Sequence, residues 1–437
     1  MIKVSSKSIS LSSGITFIIL WHFFFASSFV LRLNPQIFWP LVFIAAIVIA
    51  LYNRVQIGGA ELEILIFSFL GFIFCFIAAE PWEAIGNQLY FFIYFCVAAM
   101  IARFTNGETI RKQILFFCVI HLICIYVQVF LPGVYENTIL QLLPSYAHSD
   151  ILYQMKYNSS YYGFTVQTSI TAMYMTFGVI VAAVNAKHED KKLNKIIDVA
   201  LILLFITGIL FVTRRGSFFA ILLILAYIYF DTSKSKMSRV VLILVGIIFL
   251  IYFGIDKIPG MQGMIDKFNR LSGNISNGRQ NILRIALSNL WNYPLFGYGV
   301  GRANVTGGGG SVDNAYVAIL VERGIIGTII FFTPYLHLLI QSFSRKKMSK
   351  IKMSKIKMKS VEISFYFQLL FVIISFVENY YGQALTMFIY YMIVLSEQYD
   401  TQRITKNENI ASEGGKGYGK NSIKTLEKDY KYYYFMI

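Results

Sequence analysis

Apolar runs broken by short polar segments dominate the chain, at about 11–31, 37–52, 62–79, 85–102, 114–131, 165–185, 197–213, 216–230, 240–255, 314–342, 361–377 and 383–396. A helix needs roughly 20 apolar residues to cross a bilayer, and most of these runs approach that length. The pattern predicts an all-α, polytopic integral membrane protein of about 12 transmembrane helices. Two interruptions, 132–164 and 256–313, are too long to be turns, and loops of that size usually carry function or are disordered. The first is rich in tyrosine, which fits either a packed cap with aromatic faces for sugar rings or an ordinary interfacial belt. In the second, Ile282, Leu283, Ala286, Leu287 and Leu290 recur at helical spacing, while Asn277, Asn281, Arg284 and Ser288 share the opposite stripe. This predicts an amphipathic helix lying on the membrane surface, apolar side down, and ended by Pro294. Gly297, Gly299 and Gly301 then predict a bendable turn that brings Arg302 back over the membrane. The membrane-embedded catalytic domain so defined spans 1–396. The polar, glycine-containing stretch 397–437 reads as a disordered tail.

Composition sharpens the membrane assignment. The chain is 56% hydrophobic and 14% charged, whereas soluble proteins carry about 25% charged residues. A net charge of +16 would suit a nucleic-acid partner, but its distribution argues against one. Of the 39 Lys and Arg, 28 fall in 1–10, 53–61, 103–113, 186–196, 231–239, 343–360 and 397–437. Those are alternate connections, which is how topology determinants are arranged. That side is then cytoplasmic, both termini lie within it, and 132–164 and 256–313 face outward. The run SRKKMSKIKMSKIKMKS at 344–360 is the strongest anchor, with anionic-lipid binding as its competing reading. Cys75, Cys96, Cys118 and Cys124 all sit in apolar runs and read as small buried hydrophobes. The five histidines show no metal spacing, so neither metal nor cofactor is expected.

Candidate chemistry collects on the outer side. Thr213-Arg214-Arg215-Gly216 puts two arginines in a hairpin between apolar helices. Arginine there is costly unless it pairs or faces a polar cavity. Its planar fork suits diphosphate oxygens, and snorkelling to headgroups is the plainer alternative. The GYGVGR segment at 297–302 follows no strand and makes a poor nucleotide loop. Asp313 stands between the glycine run 307–310 and an apolar helix, near Arg302. It is either a base or simply the cap of that helix.

From Asp313 onward the text resembles a family signature. Asp313-Asn314, nine residues, then Gly324-Ile325-Ile326-Gly327 is similar to a motif of bacterial O-antigen ligases and related O-antigen or capsule polymerases. There a His or substitute, then Asn, Ser or Gln, precede nine residues and GxxG. Gly278-Arg279, Trp291 and the run Asn292–Gly299 resemble the family's upstream block, and Gly163-Phe164-Thr165 resembles a weaker one. The resemblance implies a membrane-embedded glycosyltransferase at the outer face of the bacterial cytoplasmic (inner) membrane. It would act by metal-free inverting transfer from an undecaprenyl-diphosphate-linked oligosaccharide. Aspartate in place of histidine favours a Wzy-type polymerase over a ligase that passes glycan to lipid A core. Implied partners are that lipid-linked oligosaccharide, membrane lipid and a chain-length regulator protein. Implied catalytic residues are Asp313, Arg215 and Arg279, with Arg214, Arg284, Arg302 and Asn314 binding substrate. A flippase or transporter is the non-enzymatic alternative. The halves show no clear repeat and few prolines interrupt the apolar runs, which speaks against it.

Overall fold

The computed structural model describes residues 6–28, 30–31, 33–53, 55, 57–76, 81–232, 275–301, 312–352 and 355–414. Among these, fourteen α-helices and one 3₁₀ turn form the regular structure, and no strand occurs. In chain order they begin with α1 (Ser6–Phe24), α2 (Pro35–Tyr52), α3 (Gly59–Cys75), α4 (Pro81–Phe104) and α5 (Gly107–Phe130). Next come α6 (Pro132–Asn137), the 3₁₀ turn (Leu140–Leu142), α7 (Ser145–Asn158), α8 (Thr168–His188), α9 (Lys192–Val212) and α10 (Arg215–Thr232). The last are α11 (Ile275–Leu290), α12 (Ala315–Lys352), α13 (Lys355–Ile374) and α14 (Ala384–Gly414).

Eleven of the twelve apolar runs lie on helices, and the twelfth, 240–255, falls outside the described residues. Among the described residues, six stretches are both long and apolar enough to cross a membrane: Pro35–Tyr52, Ala84–Phe104, Gly107–Phe130, Thr168–His188, Lys192–Val212 and Ala315–Lys347. The protein is thus all-helical and polytopic.

Helix α8 forms the axis of the bundle. Every residue from Thr168 to Val184 is buried, and α5, α9, α10 and α13 all pack on it. Small and hydroxyl residues such as Thr171, Ala172, Thr176, Gly178 and Ala182 let these neighbours approach closely, as membrane helices require. Helices α2 and α9 instead expose Leu41, Ile44, Val48, Ile196, Leu203 and Leu204, the composition that hydrocarbon tolerates.

Residues 132–164 fold into a helical cap, α6, the 3₁₀ turn and α7, with α6 packed on α5. Tyr135 is fully buried, and its hydroxyl donates to the Gly163 carbonyl at 2.9 Å. Gln128 Oε1 accepts the amides of Tyr162 and Gly163 at 2.9 and 2.8 Å. Tyr146, Tyr153 and Tyr157 stay exposed along α7.

Two expectations change. Helix α11 exists, but Ala286 and Leu290 pack with Ile282 and Leu283 against Val312, Ala318 and Val321, so its apolar stripe faces protein instead of lying on a bilayer. Only Leu287 of that stripe is exposed. Second, α14 runs through residue 396 to Gly414, with Glu397, Gln398 and Tyr399 buried. The polar stretch from 397 therefore opens as packed helix, and 415–437 lie outside the described residues.

Candidate functional site

The arginine hairpin is built on a strained residue. Helix α9 ends at Val212, and Thr213 adopts a left-handed conformation, φ 58° and ψ 29°. Such backbone is uncommon for a β-branched residue and persists only where the surroundings hold it. Here Thr213 Oγ1 donates to Ser160 Oγ at 2.9 Å, Ser160 Oγ to the Val212 carbonyl at 3.2 Å, and the Tyr161 amide to the Phe211 carbonyl at 3.1 Å. The chain thereby turns so that Arg214 immediately precedes α10 and Arg215 opens it. Arg214 Nε donates to Thr168 Oγ1 at 2.7 Å, and Nη1 reaches both carboxylate oxygens of Glu378 at 3.1 and 3.2 Å. Glu378 is buried in the turn between α13 and α14. Arg215 is half-buried.

The same turn receives the start of α12. Asn314 is its N-cap: Oδ1 accepts the Val317 amide at 3.0 Å, while Nδ2 donates to the Phe376 carbonyl at 3.0 Å. The Ala315 amide donates to the Ser375 carbonyl at 2.9 Å. The capping role considered for Asp313 therefore belongs to Asn314, which leaves Asp313 half-buried just outside the helix. Four residues, Ser375–Glu378, thus anchor both the Arg214 hairpin and the Asp313-Asn314 segment. The cap region joins them electrostatically. Tyr162 donates to Asp150 at 3.3 Å. Burial first, then Asp150, push its phenol up to about 12, and Arg214 pulls the other way.

The spacing of nine residues between Asn314 and Gly324 also acquires a physical meaning. At Gly324 the backbone leaves the helix, with φ 65° and ψ −174°. The apolar stretch Ala315–Lys347 has 33 residues. Unbroken it would be about 50 Å long, well beyond a hydrocarbon core of about 30 Å. The break separates a short head, 315–323, from a membrane-length remainder. It frees backbone groups, and the turn after α11 takes them up. The amides of Tyr298 and Gly299 donate to the carbonyls of Val321 and Glu322 at 2.9 and 2.7 Å. The amides of Ile325 and Ile326 donate to the carbonyls of Pro294 and Leu295 at 2.9 and 3.1 Å. Contact between the backbones demands glycine on both sides. A Cβ on Gly297 would meet the Glu322 carbonyl carbon and the Gly324 nitrogen at 2.5 Å, and one on Gly324 would collide with Leu295 and Phe296. The glycine turn expected to be bendable is instead pinned by four backbone hydrogen bonds.

The α12 head thus connects three of the sequence-nominated segments: α11 packs against it, its first residues dock on Ser375–Glu378, and that turn holds Arg214. Arg284 is exposed on α11. Arg279 lies on the α11 backbone, but its side chain, like all of Arg302 and the glycine run 307–310, lies outside the described residues.

Beside this assembly opens a cavity of about 450 Å³, and its wall includes Asn87, Tyr90, Gln167, Glu322, Arg323 and Gln383. Gln167 directly precedes Thr168, the partner of Arg214, and Tyr381–Gln383 follow Glu378 by a few residues. Arg323 is only 5% exposed. Its Nη2 donates to Gln88 Oε1 at 3.1 Å, its guanidinium lies 4.8 Å from the Phe331 ring centre, and Gln88 Nε2 donates to the Ser68 carbonyl at 2.9 Å. Of the nominated site residues whose side chains are described, Arg214, Arg215, Arg284, Asp313 and Asn314, none lines the cavity. Sequence reasoning missed Glu378, Arg323 and Gln383. Only the position of Arg323, inside an apolar run directly before the signature glycine, hinted at a role.

A many-helix membrane bundle, with arginine, carboxylate and amide side chains gathered at one end beside a cavity of mixed polar and apolar lining, is the class defined by these features. Residues 200–332 match the family model described as O-antigen ligase, so this segment is similar to that family. The match covers under a third of the chain, yet it includes the arginine hairpin, α11, the pinned turn, Asp313-Asn314 and the break at Gly324. The family comprises ligases and related polymerases, membrane enzymes of glycan transfer. No curated protein matches the chain.

Proposed function

We infer that the protein is a polysaccharide polymerase. It joins undecaprenyl-diphosphate-linked repeat units into O-antigen or capsular polysaccharide at the outer face of the bacterial inner membrane, with both termini cytoplasmic. The supporting observation is that Arg214 and Asn314, both inside the segment 200–332 that is similar to O-antigen ligases, are held by the single turn Ser375–Glu378. A hydroxyl of the acceptor sugar attacks the anomeric carbon of the donor. The new C–O bond forms as the bond to the diphosphate oxygen breaks, with inversion at carbon. The hydroxyl proton passes to the Asp313 carboxylate. The electron pair leaves with the lipid diphosphate, whose growing charge is met by Arg215 and Arg279, while Arg284, Arg302 and Asn314 help bind substrate. Fixed cationic donors aimed at developing charge contribute most where water is excluded. Arg214 already spends two of its nitrogens on Thr168 and Glu378, so it acts chiefly by holding the shared turn in register. Donor activation resides in the diphosphate, and no cofactor enters. A chain-length regulator would act on the product distribution.

Surface-polysaccharide ladders in cells deleted for the native gene test this reading. Arg215→Ala and Arg279→Ala, expressed at normal levels, should each lower the polymerisation rate by about 10²–10³ and collapse the ladder to a single repeat. Asp313→Asn should lose about 10²–10⁴ as a missing base. A normal ladder from both arginine variants would reject the diphosphate assignment. A lipid core bearing no repeat at all in the deletion strain would indicate the ligase instead of the polymerase.

A further inference from the structure

The cavity beside the hairpin is not accounted for by the chemistry above. Two of its side chains keep a buried polar atom with no hydrogen-bond partner: Nε of Arg323 and Oε1 of Gln383. One is a donor and the other an acceptor. Leaving such atoms buried and unpaired is unfavourable, so an occupant that pairs them is favoured. Among the described residues, no carboxylate lies within ion-pair distance of Arg323. Glu322, its neighbour in the chain, lines the same wall, so the two formal charges offset one another. An anionic occupant would gain from Arg323 and lose to Glu322. A neutral one bearing hydroxyls loses nothing, because each hydroxyl both donates and accepts. The remaining wall mixes amides, Asn87 and Gln167, and aromatic rings such as Tyr90 with apolar residues such as Ile170, Ile319 and Leu385. Amides read hydroxyl direction, and an aromatic face covers the apolar C–H face of a pyranose. The volume of about 450 Å³ lies within the ~300–1,000 Å³ typical of small-ligand sites.

We propose that this cavity is the acceptor-sugar subsite: it holds a neutral terminal pyranose of the incoming glycan, with Arg323 and Gln383 selecting its hydroxyl pattern. The assignment rests on the polymerase reading for the word acceptor, but its binding chemistry is separable from transfer. On one side Gln167 directly precedes Thr168, the partner of Arg214, and on the other Gln383 lies a few residues after Glu378, so a sugar seated there lies near the turn that carries the proposed transfer chemistry.

The test uses the full chain in nanodiscs and the oligosaccharide repeat released by mild acid from lipid-linked material of the source strain. Binding is read by saturation-transfer NMR, and polymerisation is assayed in parallel with lipid-linked repeats. Gln383→Leu and Tyr90→Ala should each weaken binding of the free repeat by about tenfold, and Arg323→Met by at least as much. Because Arg323→Met could fail to fold, the exposed Tyr90 serves as the second probe. Arg215→Ala should bind the free repeat like the unaltered chain while losing polymerisation. Unaltered affinity in Gln383→Leu and Tyr90→Ala, with polymerisation intact in the parent chain, would overturn the subsite alone. A parent chain that neither binds nor polymerises would overturn the function on which it rests.

Discussion

At the scale of single residues, Arg214 and Glu378 form the pair on which the shared turn depends. Their side chains are 30% and 9% exposed, so removing one partner strands the other in a mostly dry setting. Arg214→Met or Glu378→Leu alone should each cost about 2–3 kcal/mol of stability, somewhat below the range for fully buried pairs. The double variant should recover much of that loss, because no charge is left unpaired. Thermal unfolding in detergent, arranged as a double-mutant cycle, checks this, and additive losses would refute the pairing as the main role. Tyr162 offers a pH test. Its folded pKa of about 12 lies above the ordinary phenol value of about 10. The folded state thus holds a proton that the unfolded state releases between those values. The contribution is fully present below pH 10 and is lost as pH rises towards 12. Relative to the parent, Tyr162→Phe should show a shallower fall in stability over that window, and superimposable curves would contradict the assignment. Neither pair was legible in the sequence. Glu378 lies 164 residues from Arg214, and Asp150 twelve from Tyr162.

At the scale of elements, the break in α12 sets the geometry. Gly324 combines a positive φ with backbone contact to Leu295 and Phe296. Gly324→Ala must adopt a conformation costing roughly 1–2 kcal/mol and push the pinned turn away at a further ~1–3 kcal/mol. A loss of at least 2 kcal/mol, with polymerisation abolished at temperatures where the variant remains folded, is expected. Gly297→Ala should behave alike, and a stable, active variant at either position would remove the reciprocal contact from the explanation. Asn314→Ala should cost about 1 kcal/mol from the lost cap, and Asn314→Asp much less. The helices themselves were legible, because a long apolar run written in a bilayer's length has few other solutions. The spacing from Asn314 to Gly324 was legible as a pattern but not as a cause. Its reason lies in hydrogen bonds to Pro294 and Leu295, some thirty residues away. The stripe on α11 was legible too, though not its partner, since an apolar face looks the same whether lipid or protein covers it.

At the scale of the whole molecule, the two ends of the bundle differ in chemistry. One end bears the cavity, the arginine hairpin and the helical cap. The other is closed by ion pairs: Arg103–Glu61 at 2.6 Å, Lys187–Glu362 at 2.7 Å, Lys187–Asp231 at 3.0 Å and Arg345–Glu397 at 3.4 Å. Several basic residues that mark the cytoplasmic side in the sequence therefore also tie helices together there. Charge counting assigns them a side but cannot read their partners. The asymmetry makes orientation measurable. Cys75, Cys118 and Cys124 are buried and Cys96 is half-buried in an apolar helix, so the native chain should react little with a membrane-impermeant maleimide. Tyr146, 73% exposed on the cap, and Leu193, 69% exposed at the start of α9, stand in segments assigned to opposite sides. Tyr146→Cys should label in intact spheroplasts, and Leu193→Cys only after permeabilisation. The reverse pattern would put the cavity on the cytoplasmic side, and would remove the outer-face polymerase reading together with the acceptor subsite.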